Sequence, residues 1–167
     1  MALRTPSTRA MLRAFQTLHR SGVDPGFMAD LELLRHKDLD LSVKLGALLA
    51  FDALLIGAGL QPVSASPGAP LSVSATDAPA IVAITLAGVG LLMAAAFYSV
   101  RAVMVGEEFD DSGIEDDPTA IAQRMFAAYC AAIDKQTRLL GRATRLTLYG
   151  GAVTAAGLAW ALLDKYL

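Results

Sequence analysis

LGALLAFDALLIGAG, residues 45–59, is an apolar run with a single carboxylate, Asp52, at its centre. A helix needs about 20 apolar residues to cross a bilayer, or about 17 at the low end. Adding Leu60 and Gln61 on one side and Leu41–Val43 on the other brings the run into that range. The charge pattern around it decides the matter. Between Lys44 and Arg101 there is no Lys or Arg, and the acids are Asp52 and Asp77 alone. Water-soluble domains carry about a quarter of their residues as Asp, Glu, Lys or Arg, so a basic-free gap of this length reads as a membrane hairpin.

Composition supports that reading. Charged residues make up 18% of the 167 and hydrophobic ones 54%, with a mean hydropathy of +0.48. Such a chain is too oily for an ordinary soluble fold and fits three spans. The net charge of −2 carries little information, because the two signs are segregated along the chain. The lone Cys130 excludes an internal disulfide framework and reads as a small buried residue. His19 and His36 lie far apart with no second cysteine, so no metal site and no cofactor is expected.

The first 23 residues bear Arg and Ser and lack acids, the composition of a transit peptide, but they also lack the apolar core of a secretory signal. They read as cytoplasmic sequence. Ser7 is a candidate N-cap, followed by Met11, Leu12, Phe15 and Leu18 at helical spacing until Gly22, with Arg9, Arg13 and Arg20 on the other face. This is either a basic amphipathic helix on an anionic leaflet or a helix packed on its neighbours. A second helix starts at Asp24-Pro25 and runs into the first span without a break. Arg35, Lys37, Asp38, Asp40 and Lys44 form a charged belt just before the bilayer.

Residues 61–79, QPVSASPGAPLSVSATDAP, read as a flexible external loop. Pro79 leads a second span, Ala80–Val100, with Phe97 and Tyr98 at the interface and Arg101 closing it. Gly106–Pro118 packs seven acids into thirteen residues without an EF-hand pattern, so it reads as a solvated acidic linker. From Thr119 the pattern is helical to the end, with Ile121, Met125, Ala128, Ala132, Leu139 and Ala143 forming one packing stripe. Arg138, Arg142 and Arg145 lie on one face a turn apart, immediately before the third span, Leu146–Leu163. They suit contact with a phosphate or lipid headgroup, and equally the positive-inside rule.

The expected fold is all-α: an integral membrane protein with three transmembrane helices plus N-terminal and juxtamembrane cytoplasmic helices. The parts are N-terminal cytoplasmic helices over 1–44, a transmembrane hairpin over 45–104 with spans near 43–61 and 80–100, an acidic linker and helix over 105–145, and a third span with a short external tail over 146–167. Seven basic residues precede the first span, none lie in the loop, six run from Arg101 to Arg145, and Lys165 alone follows the third span. This lopsided count places the N terminus inside and the C terminus outside a bacterial inner membrane.

Two features carry functional expectations. In the third span Gly150, Gly151, Thr154, Ala155 and Gly157 crowd together, with Gly150/Thr154 and Gly151/Ala155 as small-xxx-small pairs that let helices approach closely. Asp52 is an intramembrane acid, costing at least about 2.5–3.5 kcal/mol at mid-bilayer on insertion scales, so it should face protein or water. It reads either as part of a proton or cation path in an oligomer, or as a neutral acid hydrogen-bonded to Thr85, Thr147, Thr154 or a partner subunit. No phosphate-binding glycine loop, nucleophile set or metal pair is visible, so no enzymatic activity is expected, and the basic residues belong to the membrane boundary rather than to nucleic acid.

The order of parts resembles the small membrane effectors of bacterial cyclic-nucleotide defence, the Pycsar transmembrane effectors and the related SLATT-type family. The corresponding pieces are DLDLSVKLGALLAF (Asp38 to Phe51), the second span, and AAIDKQTRLLGRATRL (Ala131 to Leu146). The resemblance implies a non-enzymatic protein that packs into an oligomer and disrupts the membrane or forms a channel on sensing a nucleotide. The competing expectation is a small accessory subunit of a larger respiratory or photosynthetic membrane complex.

Overall fold

A computed structural model describes residues 17, 18, 20, 22, 25–65, 72–74, 78–106 and 118–166. Among them the regular structure is wholly helical: α1 (Pro25–Ser64), α2 (Pro79–Val103) and α3 (Pro118–Tyr166). Each helix opens on a proline, whose fixed φ suits the first turn and whose missing N–H would have no partner there anyway. At 1.5 Å per residue the 40, 25 and 49 residues extend about 60, 38 and 74 Å. All three contain a stretch long and apolar enough to cross a membrane.

The segments before the first and third spans continue into them, as expected, and form the opening turns of α1 and α3. Nothing in 25–64 or 118–166 forces a break, so each helix simply continues. α1 also runs past the boundary expected at residue 61, carrying Pro62 inside its last turns and ending at Ser64. A proline so near a C-terminus removes one intrahelical bond without stopping the chain. The Ser64 hydroxyl then donates to Gln61 O (3.3 Å) and the Val73 N–H to Pro62 O (3.0 Å), which closes the end. Most of the helix expected over residues 7–22 and most of the acidic stretch lie outside the described residues. Gly22, expected to stop that first helix, has φ 65°, a left-handed conformation that favours glycine.

The chain divides into two units. One comprises Met1–Val43 with Met104–Arg138. Its core is Leu18, Ile121, Ala122 and Met125, with Phe27 and Ala128 packed against it. Phe27 and Phe126 add a tilted ring pair at 6.3 Å. Leu18 is 1% exposed, so this residue of the N-terminal segment packs on protein. Cys130, expected to be buried, is half-buried.

The other unit comprises Lys44–Val103 with Leu139–Leu167. It is a bundle of the three apolar segments. Asp52 meets Thr147, Leu55 meets Gly151 and Gly59 meets Thr154, so α1 and α3 run parallel. Thr85 meets Gly157, Gly88 meets Thr154, and Leu92 meets Gly150, so α2 runs antiparallel to α3. At the centre a Cβ on Gly88 would lie 2.7 Å from Thr154 N and 3.0 Å from Gly150 O. No side chain fits there, and the backbones touch.

The outward surface of this unit is oily. Phe51, Leu54, Met93, Phe97, Leu148 and Leu163 are among its exposed residues. Only 17% of the apolar window of α1 and 22% of that of α3 is buried within the chain. In water such a surface would aggregate, whereas lipid solvates it.

Candidate functional site

Between the spans runs a seam of buried polar side chains: Asp52, Thr85, Ser99, Thr147 and Thr154, each no more than 4% exposed. α1 contributes the carboxylate, α2 two hydroxyls and α3 two more. They point inward because they share the helical arc of the bundle contacts: 52, 55 and 59 on α1, 85, 88, 92 and 99 on α2, and 147, 150, 154 and 157 on α3.

Asp52 is fully buried. The Thr147 hydroxyl donates to its Oδ1 at 2.7 Å. The same oxygen lies 3.1 Å from Ala143 O, an acceptor one turn back on its own helix. A hydroxyl has one proton and cannot serve two acceptors fully. Among the three threonines expected as partners, the structure selects Thr147. Thr85 instead donates to Ile81 O (2.8 Å).

Three seam atoms have no hydrogen-bond partner among the described residues: Asp52 Oδ2, Ser99 Oγ and Thr154 Oγ1. Buried groups of this kind cost about 1–3 kcal/mol each when left unpaired. The seam is therefore an unsatisfied element in a tightly packed bundle.

The helix pairing sets the level of Asp52 along the bundle. The α1 pairing puts it level with Thr147, eight residues beyond Lys44 and two beyond the level of Arg145. At 1.5 Å per residue it sits about 12 Å from Lys44 and about 18 Å from the helix end at Ser64.

Of the expected packing residues, Gly150, Thr154 and Gly157 line the contact with α2, and Gly151 meets Leu55 across a Cβ distance of 3.4 Å. Ala155 does not belong to that contact. It is exposed, one residue and about 100° past Thr154, so the Gly151/Ala155 pair joins no two helices within the chain. Arg138, Arg142 and Arg145 are all exposed. Arg138 lies in the first unit and its Nε donates to Asp134 O (3.2 Å), while Arg142 and Arg145 lie in the bundle.

Sequence reasoning missed Ser99, Gly59 and Leu55. The available signal was the repeated three-and-four spacing of small and polar residues on all three spans. Among the described residues no group of His, Cys, Asp or Glu could hold a metal ion. Comparisons of the chain with protein-family models, curated proteins and solved structures give no match, and the functional reading rests on these residues alone.

Proposed function

We propose that the chain is a non-enzymatic three-span protein of the bacterial inner membrane, with its N terminus cytoplasmic and its C terminus external. In this reading it assembles with copies of itself and acts as a membrane-disrupting or channel-forming effector triggered by a nucleotide. The observation that carries the proposal is the seam. Asp52 Oδ2, Ser99 Oγ and Thr154 Oγ1 are buried and unpaired in an otherwise apolar bundle, and a second arrangement in which the spans part would hydrate them. α1 and α3 run unbroken from the charged segments into the spans.

A second reading has one observation in its favour. The outward face of the spans carries large apolar residues such as Phe51, Leu54 and Met93, and foreign subunits could cover it as well as lipid. An accessory subunit would use the seam for packing alone.

Purification of the full chain from its native membrane in mild detergent, with the intact mass and composition of the particle, separates the two. Several copies of this chain and nothing else is the expected result, and ion flux with and without cyclic nucleotides then tests the trigger. Foreign subunits in fixed ratio overturn the effector reading.

A further inference from the structure

Arg145 stands in an unusual place for a cation. The pairing of α1 with α3 puts it opposite Ala50, six residues or about 9 Å beyond Lys44. The pairing of α2 with α3 puts it level with Phe97, four residues or about 6 Å inside Arg101. It therefore lies deeper among the spans than the cations that close α1 and α2. It is exposed on the face of α3 opposite the bundle contacts, with Arg142 one turn before it and exposed Tyr149 one turn after it.

Neither guanidinium is paired with a carboxylate of a described residue. Within the bundle the described acids are Asp52, which is buried, and Asp164, at the opposite end of α3. A charged guanidinium on a lipid-facing surface at that depth is costly unless it reaches an anion. The anion available there is the phosphate of a lipid headgroup, which a planar guanidinium grips with two parallel donors. Below Tyr149 the same face continues as exposed Ala152, Ala156 and Trp160. The two alanines leave room for an acyl chain beside the helix.

We infer that Arg142 and Arg145, with Tyr149, form a binding site for an anionic phospholipid of the cytoplasmic leaflet. The site rests on the reading of these helices as spans with that end cytoplasmic. It narrows the basic patch to the two arginines that belong to the bundle.

The full chain is tested by flotation with vesicles and by native mass spectrometry in mild detergent, with phosphatidylglycerol or phosphatidylcholine added. The expected result is preferential retention of phosphatidylglycerol, falling roughly thirty-fold in an Arg142→Gln/Arg145→Gln variant. Arg101→Gln should leave retention unchanged, and Arg145→Lys, which keeps the charge and loses the planar fork, should retain less than the native chain. Equal retention of both lipids, or full retention by the double variant, overturns the site. Displacement by millimolar inorganic phosphate or a cyclic nucleotide overturns a lipid occupant in favour of a soluble one. A chain that floats without a headgroup preference overturns the lipid site alone, whereas one that does not float overturns the membrane reading as well.

Discussion

Gly88→Ala lowers the stability of the spanning bundle by about 2–3 kcal/mol, the upper part of the range for overpacking a tight core. Its Cβ would meet the Thr154 hydroxyl first and then two backbone atoms, Thr154 N at 2.7 Å and Gly150 O at 3.0 Å. The backbone atoms cannot rotate away, so α2 and α3 must separate. Separation also loosens the approach of Gly157 to Thr85 and of Gly150 to Leu92, which share the interface. Without a hydrophobic drive between helices in lipid, this close packing is a principal source of association. Gly90→Ala and Gly57→Ala are the controls, because a Cβ at either position meets nothing within 4 Å. Both should stay within about 0.5 kcal/mol of the native chain. Gly157→Ala should fall between, since the nearest atom to its new Cβ is a hydroxyl oxygen of Thr85 that can turn aside. Reversible unfolding in mixed detergent micelles measures the series. Equal effects at Gly88 and Gly90 would remove the α2–α3 contact from the account.

Thr147→Val costs about 1–2 kcal/mol, although valine matches threonine in shape. The substitution deletes the hydroxyl at 2.7 Å from Asp52 Oδ1 and leaves the whole carboxyl buried without a partner, since Oδ2 already lacks one. Removing one side of a buried pair costs more than removing both. Asp52→Leu in the Thr147→Val background should therefore recover much of the loss, and the two changes should be non-additive by about 0.5–1.7 kcal/mol, the upper half of measured couplings inside membranes. Thr154→Val offers the contrast. Its hydroxyl is buried with no partner, so replacing it should be neutral or stabilising. Additive effects at 52 and 147 would mean that the pair does not act as a unit.

The spans were legible in the sequence because hydropathy and the absence of basic residues between Lys44 and Arg101 leave little choice. The helix starts at Pro25, Pro79 and Pro118 were legible because proline suits a first turn. The end of α1 was not. Pro62 falls in the stretch read as the external loop, and α1 carries it inside its last turn before ending at Ser64. Gly150, Thr154 and Gly157 could be picked out by spacing, but their partners could not. Register between helices depends on which backbones touch, and that is set by Gly59 and Gly88 together with Thr154. For the same reason Asp52 had three equivalent threonine partners on paper and has one in the fold. Ser99 is one serine in an alanine-rich helix, and only its spacing from Gly88 and Leu92 marks its face.

The most direct test of the account is the sidedness of two positions in a bilayer. In a Cys130→Ala background, Ser74→Cys and Ala131→Cys place single thiols at exposed positions, one between the first two spans and one ahead of the third. A membrane-impermeant maleimide applied to intact cells should label the Ser74→Cys variant and reach the Ala131→Cys variant only after permeabilisation. Labelling of both positions in intact cells, or of Ala131→Cys alone, would contradict the three-span arrangement with its basic end inside.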